Sequence, residues 1–388
     1  MNASRPAFAL NPRLLGFRCI RCDVNYPVGD YAEGCPACSA AKIPASVVPT
    51  YSSLLPLADC RHGRGASRFG PRLGYSTFPT LGEGGTPVAR LHRLADELGL
   101  DAVDIKLEGS NPTGSHKDRM TSQFVARALA KGAPVVAAAS SGNAGASLAA
   151  YAAAAGLRCA IVTTPKMSPP WRRAIELSGA ELHFVEDPLE RWRLIGEKGK
   201  SDGWFSATNI CRPPTSSEPF GVEGYKTLAY ELAENPQTAD ADTILVPTAR
   251  GDLLWGIYAG FAELVAEKLL PRMPRLVAVE PFPRIELALA GADYRGGFAG
   301  SSPLLSINGT TVTYQAIAAA QRSGGAAVSV NSGDVVADQR YLSKSGHYLE
   351  LSAVAALTGL RVLLANKPFA VRHAVLIATS HGYKENQG

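Results

Sequence analysis

Short runs of alternating hydrophobic and polar residues recur along this chain, separated by longer runs whose apolar positions fall three and four apart. Val103, Ile105 and Leu107 alternate with Asp104, Lys106 and Glu108, the period-2 pattern of a strand with one buried face. Met120, Phe124 and Ala128 then share one helical stripe, with Val125 and Leu129 beside it and Gly132 as its stop. Residues 134–139 form a short fully apolar strand, 140–145 a loop, and 147–155 an alanine-rich helix. The pattern repeats as a strand at 159–162, a helix at 171–177 and a strand at 181–185. A second series runs through a helix at 224–233, a strand at 243–247, a loop at 248–252 and a long apolar helix at 253–269. Further strands follow at 276–280, 326–330 and 374–378, and Asn331-Ser332-Gly333-Asp334 opens a helix after the second of them. Ahead of the first strand, Val88, Leu91, Leu94 and Leu98 predict a helix. Alternation of this kind implies α/β architecture, parallel sheets with helices on both faces, and ligands at the carboxyl ends of strands.

One lysine stands where the first strand has ended and its helix begins. Asn111-Pro112-Thr113-Gly114 is turn chemistry, and Ser115 followed by Asp118 three residues later reads as a capping box. Lys117 therefore falls in the first helical turn, among unpaired N–H groups at the positive end of the dipole. An ammonium is disfavoured there, which suits a lysine that forms Schiff bases. The plain alternative is a solvated lysine at a helix start.

Composition adds a second element. The 388 residues are 46% hydrophobic, enough for two or three lobes. A net charge of +5 without a long Lys/Arg run calls for neither a nucleic-acid nor an anionic-membrane partner. Arg61 to Arg72, the densest basic stretch, reads as a solvated loop because of Gly63, Gly65 and Gly70. Residues 1–15 show no signal-peptide pattern and no apolar run reaches eighteen residues, so the expected location is cytoplasmic. Four of the seven cysteines are spaced as Cys19-x2-Cys22, twelve residues, then Cys35-x2-Cys38. Two such knuckles read as a zinc ribbon with four thiolate ligands; the alternatives are a ribbon that has lost its metal, or reduced cysteines buried for packing. Cys60, Cys159 and Cys211 have no spacing partner and read as small core residues. The expected organisation is a ribbon at 1–42, a Pro/Ser/Gly/Arg-rich connector at 43–78, and a catalytic body at 79–388 with a smaller subdomain, roughly 120–222, nested in it. A ribbon that binds a partner is the competing functional class.

Leu81-Gly82-Glu83-Gly84-Gly85-Thr86-Pro87, then Lys117, then Ser140-Ser141-Gly142-Asn143-Ala144-Gly145, then Glu223-Gly224-Tyr225-Lys226-Thr227 form an ordered set. The set resembles threonine synthases and, more broadly, the fold-type II pyridoxal-phosphate enzymes, from about Thr77 to the C-terminus. The resemblance implies two three-layer α/β subdomains facing each other, and a homodimer acting on a small amino acid. It implies that Lys117 carries the cofactor and moves protons at the substrate carbons, and that Asn143 hydrogen-bonds the cofactor's phenolic oxygen. Thr86 and the loop Ser140, Ser141, Gly142, Asn143 and Ala144 would take the substrate, with backbone N–H groups on its carboxylate. Ser352, in Glu350-Leu351-Ser352-Ala353, would face the pyridine nitrogen; a surface serine is the alternative. Thr379-Ser380-His381-Gly382-Tyr383-Lys384 resembles the family's closing tail and is assigned no chemistry.

Three positions depart from the family pattern. His116 replaces the usual Phe before the lysine, and either titrates near neutrality or is an ordinary packed or solvated histidine. Met120 stands where a glycine usually follows Arg119. Thr248-Ala249-Arg250-Gly251-Asp252 replaces the glycine run that cradles the cofactor phosphate. Ala249 and Arg250 resist the conformations glycine permits, so the expectation is that Thr248 and the loop N–H groups hold the phosphate. Arg250 either assists them or turns toward an anionic substrate, or else faces solvent. The activity implied is conversion of O-phospho-L-homoserine and water into L-threonine and phosphate. Lys166, Arg172, Arg173 and Arg212 are candidates for the substrate phosphate. The rivals are β-elimination or β-replacement on serine, threonine or phosphoserine, and a catalytically silent protein with a ribbon for interaction.

Overall fold

Three sheets organise the computed structural model, which describes residues 8–60 and 63–385. Parts of three expectations lie outside the described residues: the start of the ribbon segment at 1–7, Arg61 of the basic stretch, and 386–388. The first sheet joins β1 (Leu14–Cys19), β2 (Asn25–Tyr26) and β3 (Val47–Tyr51) antiparallel in the order β2-β1-β3. The body then runs through β4 (Val88–Arg90), β5 (Ala102–Leu107), β6 (Val135–Ala139), β7 (Arg158–Thr163), β8 (Glu181–Phe184), β9 (Phe205–Ser206), β10 (Thr243–Pro247), β11 (Arg275–Glu280), β12 (Ala326–Ser329) and β13 (His373–Ala378).

These strands form a six-stranded sheet, β12-β11-β10-β13-β5-β4, and a four-stranded sheet, β8-β7-β6-β9. Every pairing in both is parallel except that of β4 with β5. Successive side chains in a strand point to opposite faces, and here each face has its own core. Leu245, Val277, Val279, Ala374 and Leu376 pack with the helix Leu351–Asn366, whereas Ile244, Val246, Leu276, Ala278, Val375 and Ile377 pack with the helix Asp252–Ala266. The small sheet divides in the same way, Val136, Ala138 and Ile161 to one side and Val135, Ala137, Ala160 and Val162 to the other. This is the fold-type II layout, with helices on both faces of parallel-rich sheets.

Several local expectations are corrected. Residues 88–90 are the edge strand β4 and the helix begins only at His92, because pairing with β5 outweighs an apolar spacing too short to hold a helix alone. The strand β5 has two buried faces. Its polar side is covered by charge partners: Asp104 accepts from Arg90 Nε at 2.7 Å and contacts His373 Nε2 at 2.7 Å, and Lys106 Nζ donates to Glu231 at 2.7 Å. The helix after β6 starts at Asn143, four residues earlier than its alanine run. A helix at Glu190–Asp202, unforeseen in the charged sequence there, covers the outer face of the small sheet with Trp192 and Ile195. The basic stretch is no solvated loop at its end: Gly65–Arg72 is a 3-10 turn, Phe69 is buried, and the fully buried Arg72 donates to Glu267 at 2.8 Å and to Leu55 O at 2.6 Å.

The ribbon is fastened to the body. Phe17 meets Phe220 edge-on at 5.1 Å, Arg21 Nη1 donates to Tyr294 Oη at 2.7 Å, and Arg127 Nη2 donates to Asp30 at 2.8 Å.

Candidate active site

Four segments converge at carboxyl ends of strands: 108–118 after β5, 140–145 after β6, 248–252 after β10 and 379–384 after β13. Ser115 bridges to Ser380 in antiparallel fashion, and His116 N–H donates to Thr379 O at 3.0 Å. This tertiary contact, not a capping box, sets the start of the helix Lys117–Ala130. Ser115 Oγ is buried without a partner among the described residues, and Asp118 turns back to accept from Thr113 N at 2.7 Å and Ser147 Oγ at 2.6 Å.

Lys117 Nζ lies 2.9 Å from His116 Nε2 and 3.4 Å from Tyr225 Oη. Burial pulls the lysine down to about 8, with Arg250 adding to the effect and Asp252 and Glu350 opposing it. His116 is itself buried, and burial followed by the charge of Lys117 holds its imidazole well below 6.5. Its Nδ1 faces Thr379 O at 3.1 Å. A carbonyl only accepts, so Nδ1 carries the proton and Nε2 offers its lone pair to Lys117. The histidine is a packed neutral acceptor that does not titrate near neutrality.

Asn143 is gripped from both ends. Its Nδ2 donates to Glu350 Oε2 at 2.9 Å and Ser306 Oγ at 3.3 Å, and its Oδ1 accepts from Lys384 Nζ at 2.9 Å. Burial pulls Lys384 down to about 8, against Asp118 and Glu350. Ser352 is buried, and its Oγ accepts from Ser306 N at 3.1 Å, so its own proton is free for donation. Glu350 Oε1 is buried and unpartnered among the described residues.

Two backbone cradles flank the lysine. Ser140 Oγ takes the N–H groups of Gly142 at 3.2 Å and Gly145 at 2.9 Å. The N–H groups of Ser141, Asn143 and Ala144 have no partner among the described residues, at the start of a twelve-residue helix. In the second loop Thr248 is already engaged, its N–H with Val279 O at 2.8 Å and its hydroxyl with Val246 O at 2.6 Å. The N–H groups of Arg250, Gly251 and Asp252 have no partner among the described residues, at the head of the helix Asp252–Ala266. Ala249 is half-buried, and Asp252 accepts from Ser217 Oγ at 2.6 Å. Gly251 has φ of 101°, and a Cβ there would sit 2.4 Å from Ala316 Cβ. A lysine poised to lose its proton, free N–H groups at a helix head and a hydroxyl donor match the aldehyde, phosphate and ring nitrogen of pyridoxal phosphate.

Of the other expected residues, Thr86 has its hydroxyl already engaged. Its hydroxyl donates to Glu108 Oε1 at 2.6 Å, within a buried network in which Arg119 pairs with Glu108 and Glu231. Lys166, Arg172, Arg173 and Arg212 are all exposed, and Arg172 pairs with Glu176 at 2.8 Å. Besides Lys117 and Lys384, two arginines stand by these loops: Arg250, and Arg191, whose Nη1 donates to Ser141 Oγ at 3.1 Å. No sequence motif marks Arg191. Tyr225 and Lys384 lay in quoted motifs without a role, and Glu350 lay two positions before Ser352.

The sulfur atoms of Cys19, Cys22, Cys35 and Cys38 lie within 4.8 Å of one another, with Cys19–Cys38 and Cys22–Cys35 both at 3.6 Å. Tetrahedral thiolates about 2.3 Å from a metal ion stand about 3.8 Å apart, so the cluster can hold one. Cys60 and Cys159 are buried and Cys211 half-buried. No helix of the described residues is long and apolar enough to cross a membrane.

Residues 79–379 match the family model described as pyridoxal-phosphate dependent enzyme. The threonine synthase of Halalkalibacterium halodurans is 30% identical over 323 residues, 79% of this chain and 84% of that protein. The threonine synthase of Methanocaldococcus jannaschii is 29% identical over 324 residues, 80% of this chain and 77% of that protein. Among solved structures, O-ureido-L-serine synthase superposes with a TM-score of 0.62 at 24% identity, covering 77% of this chain and 90% of that one. A threonine deaminase from Solanum lycopersicum gives 0.64 at 19% identity, over 76% and 79% of the two chains. These last two likenesses show the fold alone. With the family match spanning residues 79–379 and relatives of this similarity, the chain belongs to the pyridoxal-phosphate-dependent enzymes, fold type II and threonine synthase-like.

Proposed function

We propose that the protein converts O-phospho-L-homoserine and water into L-threonine and phosphate. The observation that carries the reading is a buried Lys117 Nζ at the carboxyl ends of the strands, where the loops after β6 and β10 leave backbone N–H groups unpaired; on this reading one set serves a carboxylate and the other a phosphate. In the reaction Cβ loses one hydrogen as a proton and gains the hydroxyl of water, the Cγ–O bond breaks with phosphate leaving with its electron pair, Cγ gains a proton, and the other proton of water goes to the released phosphate or solvent. Pyridoxal phosphate supplies the electron sink that makes the Cα and Cβ protons removable. Lys117, with an amine pulled down to about 8, takes and returns those protons. His116 Nε2 accepts a hydrogen bond from the lysine and aims it. Ser141, Asn143 and Ala144 hold the substrate carboxylate, Arg250, Gly251 and Asp252 present N–H groups to the cofactor phosphate, and Ser352 donates to the ring nitrogen. The four-cysteine ribbon holds a structural zinc, and the assembly is a homodimer in the cytoplasm.

The exposure of Lys166, Arg172, Arg173 and Arg212 favours one rival, elimination or replacement at Cβ of serine, threonine or phosphoserine, which needs no such second phosphate site. Incubation with O-phospho-L-homoserine decides between them: phosphate and threonine should appear in equal amounts. Keto acid and ammonia from serine or threonine, with no turnover of phosphohomoserine, would move the protein to the rival reading.

A further inference from the structure

Two guanidinium groups beside the cleft have no acid to pair with. Arg191 opens the helix Glu190–Asp202 of the small sheet, and donates through Nε to Pro188 O at 2.8 Å and through Nη1 to Ser141 Oγ at 3.1 Å. Its remaining N–H groups are unspent. Arg250 projects from the loop after β10 in the large sheet, with its guanidinium 5.5 Å from the ring centre of Trp192, the neighbour of Arg191. Neither forms a salt bridge among the described residues. Asp252 and Asp187 act on them only through space, and the two cations oppose each other: burial and then Arg250 pull Arg191 down to about 10. Like charges brought together in a half-buried cleft are unfavourable unless an anion joins them.

The anions already placed have their own donors. The substrate carboxylate meets the N–H groups of Ser141, Asn143 and Ala144, and the cofactor phosphate those of Arg250, Gly251 and Asp252. Ser141 Oγ also accepts from Thr163 Oγ1 at 2.9 Å, so with Arg191 both its lone pairs are filled and its proton turns toward the carboxylate. The two side-chain cations are therefore surplus to both cradles. They come from opposite subdomains, so an anion between them would draw the cleft shut.

We propose that Arg191 and Arg250 together form the site for the anionic end of the substrate's side chain, which restricts the substrate to amino acids ending in a phosphate or a similar multiply charged group. This rests on the reading above and names the residues that separate it from its rival.

The test compares two ligands with one carbon skeleton, O-phospho-L-homoserine and L-homoserine, by the shift each causes in the cofactor's absorbance when titrated into the holoenzyme. The wild type should prefer the phosphorylated ligand. Arg191→Gln should lower that preference by about ten- to a hundredfold, the scale of a lost charge-assisted hydrogen bond, with cofactor content retained, and Arg191→Lys should restore part of it. Arg250→Gln should act in the same direction. Equal weakening of both ligands would assign Arg191 to the carboxylate, and loss of cofactor from the variants would assign the pair to the cofactor phosphate; either result, or an unchanged preference, overturns the proposal. Product analysis stays separate: tight phosphohomoserine binding that depends on Arg191 but yields no threonine would sink the reaction and leave the anion site standing.

Discussion

At the scale of single residues, proton position decides what Lys117 can do. An ordinary lysine at 10.5 is almost wholly charged at pH 7, whereas one pulled down to about 8 leaves roughly a tenth of its amine free to attack an aldehyde. The capture of pyridoxal phosphate by the apoprotein should therefore accelerate as pH rises and level off with a midpoint near 8, followed by absorbance. A midpoint near 10 would mean that burial does not govern this lysine. The same residues mark how far sequence reading reached. Lys117 and Asn143 were legible because their motifs are local, and His116 was legible as a departure. That it is neutral and accepts from Lys117 depends on Thr379, 263 positions away, which no local pattern encodes.

Among the elements, β5 carries the sharpest lesson. Its alternation of apolar and charged residues is real, yet Asp104 and Lys106 are as buried as Val103 and Ile105, because ion pairs can cover a polar face as water does. Asp104→Ala should cost about 1–3 kcal/mol in urea unfolding, since the buried His373 would lose its Nε2 partner and keep only Asp240, while the half-buried Arg90 keeps Gln237 O. The pH dependence has a defined sign. Despite burial, the hydrogen bond His373 donates to Asp104 and the charges of Asp104 and Asp240 raise His373 above 6.5. A raised folded-state value gives stability that is complete below 6.5 and is lost as pH rises through the higher value. The wild type should show that loss in stability measured against pH, and Asp104→Ala should flatten it. A variant with unchanged stability at pH 6 would show that the cluster contributes nothing net.

For the molecule as a whole, the ribbon and the body form a continuous structure, since Cys19, Cys35 and Cys38 share a core with Phe220 and Trp255. On the proposed reading, a ribbon this small would depend on a bound zinc for folding. Metal analysis should find one zinc per chain. Cys22→Ser should lower the thermal unfolding midpoint by roughly 5 °C and loosen the ribbon to proteolysis before it affects the chemistry at Lys117. Protein without zinc that keeps the wild-type midpoint would rule out a structural ion.

The sequence by itself determined the class of fold, the lysine at a helix start, the loop after β6 and the thiolate spacing, because each rests on a short-range period or on neighbours within one turn. Tertiary structure alone decided that the edge segment Val88–Arg90 pairs instead of coiling, that Arg72 is buried, and that the helix at Lys117 starts from a bridge to Ser380. It also decided that Thr86 belongs to a buried ion network and that Arg191, in a stretch with no motif, stands at Ser141. The reason is common to all of these: which charges are buried, and beside what, depends on contacts between segments far apart in the chain, and such contacts leave no period to read.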